Sequence, residues 1–356
     1  MMKFQGAKIE SVKARTILDS RGEPTVEAEI QVLGMKVSAS VPSGTSVGKY
    51  EAPVLIPAKA VLKINSLAKD ICRMDFASQA WFDLWLKSRS AFANVTLPLS
   101  IAFSRIFETL PKPKSKKLPQ LMVLAFEGGV HGDSRLKIQE ILMVAKTVSR
   151  AKALYQGLKK LLEKKGIDTD VGLEGGFSPN DISDRQALEI LAGFLGKKAK
   201  IGLDFGGAYF KGQKGEQEAL LKEFSLFSVE DPFGEDDYQL WQEFFKKFAE
   251  KYLIVGDDLV ATNVKRLRKA LKLKLIKAVI VKPNQIGTIS ETLDFVKEAR
   301  KAGLKIIVSH RSGETNDPFI SDFAVAVNAD FVKFGGMARG ERIAKYNRLI
   351  ELSTGK

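Results

Sequence analysis

LFSVEDPFGEDDYQLWQEFFKKFAEKYLIVGDD, residues 226–258, contains one full turn of a rhythm that governs the second half of the chain. An apolar run stops abruptly at Glu230, the helical pattern YQLWQEFFKKFAEKY follows, and a second apolar run stops at Asp257. Short buried strands separated by amphipathic helices are the pattern of parallel βα units. The rhythm extends both ways: KIGLD ends at Asp204, AVIVK at Lys282, KIIVSH at His310 and DFVK at Lys333, so that successive ends lie 26, 27, 25, 28 and 23 residues apart. Helical patterns such as NVKRLRKALKLKL, SETLDFVKEARKAG and ERIAKYNRLIEL accompany them. The fold class is α/β. The length available favours a closed TIM-like β/α barrel, with an open doubly wound sheet as the alternative.

Upstream the character changes. TVEAEIQVLGMKVSASV at 25–41 alternates apolar and polar residues, the period of strands in a half-buried sheet. From about residue 58 to 110, the stretches IPAKAVLKINSLAKDI, FASQAWFDLWL and LPLSIAFSRIFETL carry apolar residues at helical spacing. Strands followed by segregated helices predict a smaller α+β domain over residues 1–113, and the proline-punctuated PKPKSKKLP at 111–119 reads as the linker into a barrel over 114–356.

With 356 residues and one cysteine, Cys72, the chain can bury a large core and form no internal disulfide, which suits a reducing compartment, the cytoplasm. MMKFQGAKIESVKAR lacks an apolar signal-like stretch, and no run of eighteen apolar residues occurs, so no membrane association is expected. The net charge of +14 raises the question of nucleic acid. Its basic residues come as short helical stretches, such as KKLLEKK at 159–165, KKFAEK at 246–251 and KRLRKALKLK at 265–274, interleaved with apolar residues as on solvated helix faces, which disfavours that partner. A basic surface would still gather a small polyanionic substrate.

In a β/α barrel the carboxyl ends of the strands converge on one mouth, where substrates bind. Here six successive strands end in Asp204, Glu230, Asp257, Lys282, His310 and Lys333. Three converging carboxylates need a cation, and an all-oxygen set suits a hard dication such as magnesium, so Asp204, Glu230 and Asp257 are candidate metal ligands. Lys282, with its pKa depressed by neighbouring positive charge, is a candidate base, and Lys333 a candidate holder of a substrate carboxylate. The chain's two histidines are His131, in GGVHGD, and His310, followed by Arg311 and Ser312, which together could form a fork for phosphate or carboxylate.

At these residues the sequence resembles the enolase family, from Arg15 to about Glu351. ARTILDSRGEPTVEAEI at 14–30 and VPSGTSVGKYEA at 41–52 resemble the family's opening strands and mobile serine loop. GGVHGDSRLKIQE at 128–140, GLEGGFSPN at 172–180, SVEDPF at 228–233 and VGDDLVATN at 255–263 follow in family order. VKPNQIGT at 281–288, VSHRSGET at 308–315 and KFGGMARGERIAKYN at 333–347 complete the match. The resemblance implies dehydration of 2-phosphoglycerate to phosphoenolpyruvate with two magnesium ions. Asp204, Glu230 and Asp257 would hold the first, and Ser46 on the lid loop would help hold the second, which binds with substrate. Lys282 would take the proton from carbon 2, and Lys333 with the metals would stabilise the enediolate. Glu174, with Glu140, would deliver a proton to the departing hydroxyl. His131 would line the same side, His310 would contact substrate, and Arg311 with Ser312 would grip its phosphate. A homo-oligomer is also implied.

The chain departs from the family's pattern at several positions. Leu173 stands where an acidic residue usually precedes the glutamate, Glu127 where asparagine is usual and Phe334 where threonine is usual. The loop after Asp204 reads FGGAYF in place of one with a serine and a glutamate, and Pro283 follows the expected base. These changes leave open a divergent relative with weak activity or another carboxylate substrate, or a non-catalytic protein that binds nucleic acid or a partner. The intact carboxylate, lysine and histidine set argues against the last.

Overall fold

The computed structural model describes residues 7–45, 48–114, 117–129, 135–210 and 214–354. The first three strands, β1 (Ser11–Leu18), β2 (Pro24–Val32) and β3 (Met35–Ser40), form an antiparallel sheet in that order. Val26, Ala28, Ile30 and Val32 on the central strand are buried, as the period-two pattern requires. Three helices follow: α1 (Pro57–Arg73), with proline in its first turn; α2 (Gln79–Arg89), capped by the Ser78 hydroxyl; and α3 (Ala93–Ile106). Nearly every residue of α3 is buried, because the helix packs on the sheet and also on the turn that follows Lys282.

A closed eight-stranded barrel follows, as the strand-end rhythm predicts. Its strands are β4 (Gln120–Glu127), β5 (Glu140–Ala145), β6 (Lys200–Asp204), β7 (Leu226–Glu230), β8 (Leu253–Gly256), β9 (Ala278–Val281), β10 (Lys305–Ser309) and β11 (Phe331–Lys333). From β6 to β11 neighbouring strands are parallel, and β11 closes on β4. The exception is β5, which runs antiparallel to both β4 and β6.

Two helices, α4 (Val148–Lys164) and α5 (Asp184–Leu195), follow β5 in succession. Each later strand is followed by one helix: α6 (Lys214–Glu223), α7 (Tyr238–Phe248), α8 (Val264–Lys272), α9 (Ile289–Lys301), α10 (Phe319–Ala326) and α11 (Gly340–Ser353). Side chains start several of them on time: Thr147 caps α4, Ser183 and Gln186 form a reciprocal capping box on α5, and Thr288 caps α9. Inside the barrel, Met122, Leu124, Leu142, Val255, Ile280, Ile307 and Phe331 fill the lumen, so the polar residues at the strand ends sit on a packed floor.

Candidate active site

The strand ends bring most of the sequence-marked residues to one mouth. Asp204, Glu230 and Lys333 are the last residues of β6, β7 and β11, and Asp257, Lys282 and His310 directly follow β8, β9 and β10. The reversed direction of β5 explains Glu140: as the first residue of that strand, it lies opposite Asp204 on one side and Glu127 on the other. Glu174 arrives from the loop between α4 and α5. Glu140, Glu174, Asp204, Asp257, Lys282, His310, Arg311, Ser312 and Lys333 line one small polar cavity. Ser46 and His131 lie outside the described residues.

Lys333 occupies the centre. Its Nζ lies 2.7 Å from Glu140 Oε2, 2.9 Å from Asp204 Oδ2 and 2.7 Å from Glu230 Oε1. Burial favours a neutral amine, but Asp204, Glu140 and Glu230 outweigh it and hold the ammonium well above its ordinary pKa. The carboxyl of Glu230 is itself pushed well up, by burial and then by Asp204. Glu230 Oε2 is buried without a hydrogen-bond partner among the described residues. Asp257 is drawn to the other amine, pairing with Lys282.

That pair corrects one expectation. Burial and the charges of Arg311 and Lys333 do push Lys282 toward the neutral form, but the closer Asp257 carboxylate overcomes them, and its pKa is raised, not depressed. Beside it, burial and then Asp257 push Asp258 up to about 7.

Across the mouth, His310 Nε2 is 3.3 Å from Glu174 Oε2 and 4.0 Å from Glu140 Oε1. One atom from each of these three residues falls within 4.8 Å of the others, a spacing that could hold a cation. Two cations already flank the set, Lys333 against Glu140 and Arg342 against His310, so it is better suited to passing a proton. The carboxyl of Glu140 is raised, by burial first, with Lys333 and His310 opposing.

The expected anion fork has other partners in this state. The Arg311 guanidinium donates to Glu51 at 2.8 and 3.0 Å and to Asn284 Oδ1 at 3.2 Å. Ser312 Oγ accepts from the amide and the hydroxyl of Thr45 at 2.6 and 2.9 Å, which seats the start of the serine loop on the mouth.

Sequence reasoning missed the supports beneath these groups. Asp231 accepts the amides of Asp257 and Asp258 at 2.9 and 2.7 Å, fixing the turn after β8. Arg342, fully buried, donates to His310 Nδ1 and to the carbonyls of Arg311 and Ser312. Glu127 accepts the amides of Glu174 and Gly176. A charged residue beside a marked strand end was the available signal for Asp231. Arg342 gave none, because a basic residue in an amphipathic helix ordinarily faces water.

Comparison with known proteins places these features in a family. Residues 9–107 match the family description "Enolase, N-terminal domain", and residues 115–220 and 213–354 match "Enolase, C-terminal TIM barrel domain". An enolase from Beutenbergia cavernae is 36% identical over 404 aligned residues, which cover 97% of this chain and 95% of that protein.

Proposed function

The chain belongs to the enolase family, and from that membership we propose that it catalyses the reversible dehydration of 2-phosphoglycerate to phosphoenolpyruvate in glycolysis and gluconeogenesis. The observation that carries this reading is that an amine, Lys282, and a buried carboxyl, Glu174, line one small cavity whose centre is the Lys333 cluster. Elimination of water needs such a division: a base at carbon 2, an acid at the carbon-3 hydroxyl, and positive charge where the enediolate forms.

In this reading Lys282 takes the carbon-2 proton, which requires its ion pair with Asp257 to open. Lys333 holds the substrate carboxylate. Glu174 gives a proton to the departing hydroxyl, with Glu140 and His310 beside it and His131 on the same side. Arg311 and Ser312 exchange Glu51 and Thr45 for the substrate phosphate, and closure of the serine loop excludes water.

The strand-end carboxylates fit a hard dication, being buried, all-oxygen and left with a spare acceptor at Glu230 Oε2. Asp204, Glu230 and Asp257 would hold the first magnesium and Ser46 would help hold a second arriving with substrate. Bound there, magnesium supplies positive charge to the substrate carboxylate. No helix among the described residues is long and apolar enough to cross a membrane. Family membership and the absence of a possible internal disulfide support a cytoplasmic homo-oligomer acting on a small molecule, with no membrane or nucleic-acid partner.

The test is absorbance-monitored formation of phosphoenolpyruvate from 2-phosphoglycerate, with magnesium and then with chelator, in wild type and Lys282→Ala. Magnesium-dependent turnover that falls about a hundredfold or more in the variant is the expected outcome. Absence of turnover by the wild type with any divalent metal would remove this reading and move the search to other carboxylate substrates.

A further inference from the structure

We propose that Glu127 is a positioning residue for Glu174, holding from the end of β4 the loop that carries the proton donor. The proposal rests on the dehydration reading, which gives Glu174 that task. Glu127 is wholly shielded from solvent, and each of its polar groups fastens the same short segment. Its carboxylate accepts the amide of Glu174 at 2.7 Å through one oxygen and that of Gly176 at 3.0 Å through the other. Its own amide donates to the Phe177 carbonyl at 2.9 Å, and its carbonyl accepts from the Ser178 hydroxyl at 3.1 Å.

The loop is wound tightly around this side chain. A Cβ added at Gly172 would lie 2.5 Å from Glu127 Cδ, and one added at Gly176 would lie 2.9 Å from Glu127 Cβ. From this mounting Glu174 faces His310 at 3.3 Å, so a displacement of the loop moves the donor relative to the cavity.

Two converging amides need two acceptor atoms. A carboxylate supplies both, whereas a carboxamide supplies one oxygen and turns an NH2 toward the second amide. Burial, then the charge of Glu174, raises the Glu127 carboxyl, and the amides of Glu174 and Gly176 oppose that rise by favouring the carboxylate.

Two readouts separate positioning from general support of the site. Exchange of the carbon-2 hydrogen of 2-phosphoglycerate in deuterated water, followed by NMR, needs the base. Release of phosphoenolpyruvate needs the acid as well. In Glu127→Gln, dehydration is expected to fall about tenfold to a hundredfold, the cost of a slightly misplaced reacting group, while exchange stays close to wild type. Glu127→Asp, which keeps both acceptors on a shorter arm, should recover part of the loss, and it carries the same readout if the glutamine variant does not fold. Loss of exchange and dehydration together, or of neither, in Glu127→Gln and Glu127→Asp would overturn the proposal. A wild type that performs neither reaction would instead remove the dehydration reading on which it rests.

Discussion

Arg342 and His310 share a hydrogen bond, 2.8 Å from guanidinium to Nδ1, whose direction is fixed by chemistry. A guanidinium has donors and no acceptor, so Nδ1 must accept, and the imidazole carries its proton on Nε2, the nitrogen that faces Glu174. The same guanidinium donates to the carbonyls of Arg311 and Ser312, both at 2.6 Å, and to that of Leu173 at 3.2 Å. One buried side chain thus joins the loop that carries the anion fork to the loop that carries Glu174.

The tautomer is directly measurable because the chain has only two histidines. Nitrogen-15 spectra of histidine-labelled protein should give one imidazole protonated on Nε2 alone, and Arg342→Gln should introduce the other tautomer at that residue. Dehydration should fall about a hundredfold in the variant, since a geometric shift of an ångström or so near the reacting atoms has that order of effect. A wild-type His310 protonated on Nδ1 would contradict the assignment.

Glu51 and Arg311 form a buried two-point ion pair that competes with the proposed hold on phosphate. Removing one member of such a pair strands the other, at a cost of about 3–5 kcal/mol. Glu51→Gln should therefore unfold at lower temperature than wild type, and inorganic phosphate should restore more stability to the variant than it adds to the wild type. Equal phosphate effects on both melting curves would mean that Arg311 does not receive the anion.

The barrel was legible because β6 to β11 each run into an abrupt charged residue or histidine, at the strand's last position or directly after it, and each is followed by a helix. The first two barrel strands do not obey that rhythm. Among the described residues no helix lies between QLMVLAFE and EILMVA, and two helices follow the second, so no repeat spacing marks them. Glu140 was identified only through resemblance, since an acid at the start of a strand looks misplaced until that strand proves to run backwards. Arg342 and Lys345 were invisible for another reason. In ERIAKYNRLIEL they look like solvated cations, yet both are fully buried, because distant loops turn carbonyls, and in Lys345's case also Glu314, toward the inner face of α11.

Lys333 pairs with Glu140, Asp204 and Glu230 together and offsets part of their negative charge. Lys333→Ala should consequently be destabilised in chelator, by about 3–5 kcal/mol, because buried carboxylates are left uncompensated. Magnesium should raise its melting temperature by more than it raises that of the wild type, and a second change, Glu230→Gln, should diminish the gain. Calorimetric scans with chelator and with magnesium would read both effects; equal magnesium shifts in wild type and Lys333→Ala would place the metal elsewhere.

Gly336 stands against Gly175 so closely that a Cβ there would lie 1.8 Å from the Gly175 carbonyl oxygen, and its amide donates to the Glu174 carbonyl at 2.9 Å. The opposing atom is backbone, with no flexible end to swing aside, so the turn after β11 and the loop of Glu174 must separate to admit a methyl group. Overpacking of this kind costs about 1–3 kcal/mol, and here the separation also draws Glu174 away from His310. Gly336→Ala should therefore lose both stability and dehydration. Gly340→Ala, four residues on and with nothing within 4 Å of the added Cβ, should retain both. Denaturant titration and turnover measured on the two variants would compare them, and equal behaviour would show that the contact between the two turns does not govern the placement of the acid.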